Sequence, residues 1–275
     1  MASSNDTAKS FAGKTAVVIG GHSGFGEAIV QRFHREGAQI AIAARRLDVV
    51  NEAAKAVGGR GYACDITDDA QVAQLAADVE RDFGRIDMVV NCAGYAENTP
   101  IATLTPEKLE SMVAVQFTGA VYCMKHFGNS MAASGGGAFV SISSQTAHSP
   151  SIGHAAYAGS KSGLEYVTKI AGVEYGPKGV RFNAIAAGLI ETPMTARLFQ
   201  MDARIQALIE LTPLGYMGAS EDVAKAAYYF CSDESSFVTG QTLSVDGGAS
   251  LQGLPTPTHY ADAARRFAEQ QASGN

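Results

Sequence analysis

Tryptophan is absent from the 275 residues, cysteine occurs four times, and only 17% of positions are charged. Cys64, Cys92, Cys123 and Cys231 are scattered with no C-x-x-C, a spacing that offers neither a zinc site nor a disulfide framework. Each sits in an apolar stretch and is expected as a small buried hydrophobe, so a reducing, cytoplasmic setting is the default. No cluster of Lys or Arg is present and the net charge is −6, which argues against nucleic-acid and anionic-membrane partners. No apolar run approaches the ~20 residues needed to span a bilayer. Residues 1–10 are polar, without the basic start and apolar stretch of a secretory signal, and a flexible tail is expected over residues 1–11. What remains is 46% hydrophobic, the composition of a globular protein with a substantial core. Length alone permits one large domain or two small ones.

Short apolar runs alternate with longer amphipathic segments from residue 15 to residue 246. Strands are predicted at 15–19, 39–43, 61–64, 88–92, 138–143, 181–186 and 242–245. Helices are predicted at 27–36, 47–57, 69–83, 106–131, 155–174 and 220–231. Repeated β–α alternation with near-continuous apolar strands predicts a parallel sheet with helices on both faces. No composition break divides the chain, so the expectation is α/β: a single doubly wound (Rossmann) domain over 12–250, with a sheet of about seven strands. Residues 189–218 form a long connection carrying Met194 and Leu198; connections of this length are often lids or binding loops, and a small helical pair is compatible with that. The C-terminal extension 251–275 carries Pro255, Pro257 and an amphipathic stretch, which can dock on a neighbouring subunit or stay mobile.

The first strand ends in Gly20-Gly21-His22-Ser23-Gly24-Phe25-Gly26, and a helix follows at once. Glycines permit a tight turn and a close backbone approach to phosphate, while the helix N-terminus offers free N–H groups. The position after a strand and before a helix is the one a dinucleotide site requires, and no Lys follows to make a Walker-type loop. An acidic residue at the end of the second strand would bind a ribose 2′-hydroxyl. That strand ends instead in Arg45-Arg46, and Arg45 is well placed to pair a 2′-phosphate, so NADP(H) is favoured over NAD(H).

Tyr157 and Lys161 stand four residues apart, with Ser144 thirteen ahead of the tyrosine. Positions i and i+4 share a helix face. A Lys161 ammonium beside the Tyr157 phenol is expected to lower the phenol's pKa from its usual ~10, making it a proton donor and acceptor near neutral pH. Ser144 is placed to hydrogen-bond the oxygen that Tyr157 protonates.

Taken together, these residues resemble the short-chain dehydrogenase/reductase family in its classical form, over about residues 12–250. The resemblance implies that Gly20, Gly24 and Gly26, with His22, Ser23 and Phe25 between them, hold the cofactor. It implies that Asp65, followed by Ile66, contacts adenine, and that Asn91-Cys92-Ala93-Gly94 braces the sheet beside the cofactor. It makes Ser144, Tyr157 and Lys161 the catalytic residues and brings Gly188, Ile190 and Thr192 to the nicotinamide carboxamide. The implied reaction is hydride transfer between nicotinamide and a secondary alcohol or ketone, with Lys161 also holding the ribose hydroxyls.

Three positions depart from the family pattern. Gln116 stands where a catalytic Asn is usual, Ala187 replaces a proline and is expected to loosen the turn before Gly188, and Ile19 replaces a Thr. The apolar loop, with Tyr95, His148, His154, Met194 and Leu198 as candidate substrate contacts, suits a hydrophobic cyclic or aromatic alcohol. The alternatives are a 3-oxoacyl-thioester reductase, which would favour a basic entrance, and a catalytically silent nucleotide-sensing protein. The family's usual assembly implies a homotetramer.

Overall fold

A computed structural model describes residues 10–251, together with residues 261, 262, 264, 265 and 269. Seven strands form one sheet: β1 (Thr15–Ile19), β2 (Gln39–Ala44), β3 (Arg60–Ala63), β4 (Met88–Asn91), β5 (Gly137–Ser144), β6 (Val180–Ala187) and β7 (Thr242–Val245). Every pairing is parallel, in the order β3-β2-β1-β4-β5-β6-β7. The helices are α1 (Gly24–Arg35), α2 (Leu47–Lys55), α3 (Asp69–Phe83), α4 (Pro106–Val113), α5 (Gly119–Ala133), α6 (Ala155–Tyr175), α7 (Ala196–Phe199), α8 (Asp202–Glu210) and α9 (Ser220–Cys231).

All five residues of β1 are buried, because the period-2 pleat sends successive side chains to opposite faces and both faces are covered. Val18 packs with Ile40, Ile42, Val90 and Val140 beneath Ile29 and Phe33 of α1 and Val223 and Phe230 of α9. Val17 and Ile19 point the other way, with Val89, Phe139 and Phe182, against α3, α5 and Leu164 of α6. The strand order reverses direction between β1 and β4. A crevice therefore opens at their C-terminal ends, the place where such sheets bind ligands.

The helix expected at 106–131 is interrupted by a π-helical turn at Ala114–Thr118, which separates α4 from α5. Such insertions widen a helix locally and are common at functional sites; here the turn carries Gln116. The tail also ends earlier than expected. Phe11 is fully buried, its ring 5.0 Å from Phe33 and 5.1 Å from Tyr228, so the packed domain reaches back to this residue. Residues 1–9 and nearly all of the 251–275 extension lie outside the described residues. Ala187 does not loosen its turn: it pairs in register with Val245, and Gly188 N–H donates to Val245 O at 2.9 Å. An alanine keeps an N–H and continues a ladder that a proline would end. Among the described residues, no helix is long and apolar enough to cross a membrane.

Candidate active site

The crevice is a cleft of about 910 Å³ running along the C-terminal ends of the central strands. One end is the glycine turn. Gly20 and Gly24 have φ of +76° and +55°, which residues with a Cβ rarely adopt. A Cβ on Gly26 would fall on the carbonyl oxygen of Gly20, and one on Gly20 would lie 3.1 Å from Ala93 N. No side chain caps the start of α1, so its first N–H groups remain available to an anion. His22 and Arg45 also line this end. His22 Nδ1 is buried without a hydrogen-bond partner; burial, and after it the charge of Arg46, lower the imidazole pKa. A close-packed glycine cradle, a free helix N-terminus and an orphaned buried nitrogen fit a dinucleotide phosphate group.

Ser23, Phe25, Asp65, Ile66, Ala93 and Gly94 line the same wall. Asp65 Oδ1 accepts from Thr67 N and Oγ1 at 3.0 and 2.8 Å, a local turn that fixes the carboxylate. Two expected cofactor contacts sit behind the wall. Arg46 occupies the residue before α2 and does not line the cleft. Asn91 is buried and accepts from Ala93 N–H at 3.1 Å, bracing the β4 end from inside.

Ser144 closes β5, and Tyr157 and Lys161 rise from the first turns of α6. All three line the cleft. Ser144 Oγ accepts from Thr146 N and Oγ1 at 3.2 and 3.0 Å, which leaves its own hydrogen free to donate. Burial raises the Tyr157 pKa, and the neighbouring Ser144 hydroxyl opposes the rise. The expected lowering by Lys161 is not what the geometry provides. Lys161 does not figure among the groups that shift the phenol; its Nζ donates to Ile142 O at 2.7 Å and lies 5.8 Å from the centre of the Tyr157 ring, so the ammonium is anchored to the strand. Lys161 is 5% exposed, and burial pushes its own pKa down to about 8.

Gln116 lines the cleft and is 1% exposed. Its Nε2 donates to Tyr95 O, while Oε1 is buried without a partner. A Cβ on Gly94 would lie 2.8 Å from that Oε1, so the longer amide fills space that the glycine leaves open. Its observed hydrogen bond braces the 91–95 segment rather than Lys161.

At the open end lie Tyr95, His154 and Met194. Tyr95 Oη donates to Ser111 Oγ at 3.1 Å, and the His154 ring stands edge-on to Tyr157 with centroids 6.2 Å apart. Gly188, Ile190 and Thr192 also line the cleft, and a Cβ on Gly24 would lie 3.3 Å from the Thr192 side chain; the 189–195 segment thus closes over the glycine turn. Two candidate substrate contacts are elsewhere. Leu198 belongs to α7 and does not line the cleft. His148 faces a separate hollow on the flank of α6, where its Nε2 lies 2.7 Å from Glu165 Oε2. Thr146 and Gln145, both in the cleft wall, were not anticipated. The Ser-x-Thr spacing is the one available signal for Thr146, since such hydroxyls bond locally across two residues; nothing in the sequence marks Gln145.

Known proteins resemble nearly the whole of this architecture. The profile of the family described as Enoyl-(Acyl carrier protein) reductase matches residues 19–250. The D-threitol dehydrogenase of Mycolicibacterium smegmatis is 34% identical over 245 residues, 87% of this chain and 94% of that protein. A 3alpha-hydroxysteroid dehydrogenase of Mediterraneibacter gnavus is 33% identical over 243 residues, 86% of this chain and 96% of its own length. Among solved structures, a short-chain type dehydrogenase/reductase from Mycobacterium ulcerans superposes with a TM-score of 0.86 at 34% identity, covering 92% of this chain and 96% of that one.

Proposed function

The chain belongs to the short-chain dehydrogenase/reductase family and is an oxidoreductase acting between alcohols and ketones; from that premise we propose an NADP(H)-dependent enzyme for a hydrophobic cyclic or aromatic secondary alcohol and its ketone. The observation that carries this reading is the presence of Ser144, Tyr157 and Lys161 in the same cleft as the glycine turn. In the reducing direction a bound nicotinamide supplies the hydride. The Tyr157 phenol gives its proton to the carbonyl oxygen, and the Ser144 hydroxyl, oriented by Thr146, donates a hydrogen bond to that same oxygen. Charge developing on the oxygen is thereby stabilised where it appears, and the wall residues supply alignment. Lys161, charged below about pH 8, would hold the ribose hydroxyls of the cofactor with the N–H donors that the Ile142 carbonyl leaves free. Oxidation of the alcohol reverses each role.

The glycine turn with Ser23, Phe25, Asp65, Ile66, Ala93, Gly94, Gly188, Ile190 and Thr192 would hold the dinucleotide. Arg45, at the end of β2 and exposed on the cleft wall, would meet the 2′-phosphate, with Arg46 and His22 close behind. NADPH is therefore expected to bind more tightly than NADH, and Arg45→Ala is expected to remove the difference, read by quenching of nicotinamide fluorescence. Equal affinities in the native protein would refute the role given to Arg45.

Several residues of the 189–218 segment are apolar yet exposed, Met194 at 57% and Tyr216 at 57% among them. An apolar substrate would give these side chains something to cover, and a relative is named for a hydroxysteroid. On α6, Tyr166, Ile170 and Val173 form an exposed apolar stripe at helical spacing. That stripe supports assembly through α6, within the proposed homotetramer. The reading is tested by screening cyclic alcohols and ketones with both cofactors; turnover confined to short linear 3-oxoacyl thioesters would favour the thioester reductase instead.

A further inference from the structure

One helical turn beyond Lys161, α6 carries a second ionisable residue on the same face, Glu165. The two side chains end on consecutive residues of β5: Lys161 Nζ donates to Ile142 O at 2.7 Å, and Ser143 Oγ donates to Glu165 Oε1 at 2.6 Å. The other carboxylate oxygen, Oε2, lies 2.7 Å from His148 Nε2. Glu165 is only 9% exposed, so this is a buried carboxylate with a partner on each oxygen, and the chemistry described above makes no use of it.

The titratable groups acting on Lys161 from the packed elements are Cys92, just beyond β4, and Glu165, with Tyr157 adjacent on α6. Glu165 itself faces His148, from the turn after β5, and Lys169, on α6, across the flank hollow. Burial pushes the Cys92 thiol up to about 12 and raises the Tyr157 phenol, so both are uncharged near neutral pH. Among the described residues, Glu165 is then the one carboxylate acting on Lys161 in this set. Burial favours the neutral amine of Lys161, and a carboxylate close by favours the ammonium.

We propose that Glu165, clamped between Ser143 and His148, is the counter-ion that keeps Lys161 charged in the working enzyme. Glu165 is thus a positioning residue that acts through Lys161, an inference that rests on Lys161 serving the reaction proposed above. The carboxylate does not touch the cleft; its effect is to move the pH at which the lysine gives up its proton.

The test uses the full-length protein labelled with ε-13C lysine, with the Lys161 signal assigned by its loss in Lys161→Met. The titration midpoint of that signal is expected to fall in Glu165→Gln by about one unit or more, the size of effect a nearby opposite charge exerts. With a ketone substrate and NADPH, kcat/KM of the variant is expected to be near native at pH 6 and several-fold lower at pH 8. Glu165→Leu, which removes the charge without burying an amide, is expected to do the same and serves if the glutamine variant misfolds. An unmoved midpoint overturns the proposal, as does an activity loss equal at all pH values, which a merely structural role would give. The NMR measurement needs no substrate, so an absence of turnover in the native enzyme would sink the proposed function without deciding this point. Turnover with an unmoved midpoint would sink this point alone.

Discussion

Tyr157→Phe is expected to lower kcat by on the order of 10³, within the usual range for a positioned acid or base, while the Kd for NADPH stays within severalfold. The ring remains in place against His154 and above Lys161, and only the hydroxyl is lost. The variant keeps the burial of the aromatic body, so its stability should stay within about 1 kcal/mol of native, the net worth of one hydrogen bond. Steady-state kinetics and fluorescence titration check the two halves separately. Retained turnover would remove Tyr157 as the proton donor. A large loss of cofactor affinity would instead assign the phenol mainly to binding.

Gly26→Ala is expected to reduce cofactor affinity by at least about tenfold and to destabilise the fold by the roughly 1–3 kcal/mol typical of overpacking. The added methyl would meet the carbonyl of Gly20, and that carbonyl has nowhere to go. Gly20 N–H is bound to Ala43 O at 2.7 Å, and its Cα backs onto the Cys92–Ala93 peptide. The clash is backbone against backbone, so no rotamer change relieves it. Gly159→Ala provides the contrast. Gly159 lies inside α6 with nothing within 4 Å of its prospective Cβ, and alanine there should be neutral or stabilising by up to about 1 kcal/mol. A thermal melt and an NADPH titration of both variants check the contrast; native-like binding by Gly26→Ala would mean the turn does not cradle phosphate.

Much of this architecture was legible in the chain because buried parallel strands leave a strong mark. Runs such as residues 15–19 and 39–43 are apolar on both faces, and the predicted strand limits fall within a residue or so of those observed. The π-helical turn at Ala114–Thr118 left no such mark. It preserves the apolar pattern of the helix and changes only the hydrogen-bond step, which composition does not encode. Phe11 was assigned to the tail because its neighbours are polar, yet its burial depends on Phe33 and Tyr228, which lie far along the sequence.

The site divides in the same way. Ser144, Tyr157, Lys161 and the glycines are local motifs, and the fold brings them to one cleft. His148 and Leu198 were placed near the substrate by chain position alone. The 3-10 turn at Gln145–Ala147 directs His148 to Glu165 instead, and α7 sets Leu198 outside the cleft. The relation between Lys161 and Tyr157 shows the limit of spacing as an argument. An i, i+4 separation puts two side chains on one face but does not say which atom each one reaches, and Lys161 reaches the Ile142 carbonyl. Glu165, four residues further on, carries no mark in the sequence, because its significance depends on the burial that α6 acquires against β5.

The cleft is proposed to move a hydride between a nicotinamide and a carbonyl carbon while Tyr157 supplies the proton. A direct measurement is isotope transfer: NADPH carrying deuterium at both nicotinamide C4 positions is incubated with a panel of cyclic ketones, and the products are analysed by mass spectrometry. The expected product is an alcohol carrying one deuterium at the carbinol carbon, formed by the native enzyme and all but absent with Tyr157→Phe. Binding of NADPH with no deuterated alcohol from any ketone or oxoacyl thioester would contradict it and leave a nucleotide-binding protein without turnover.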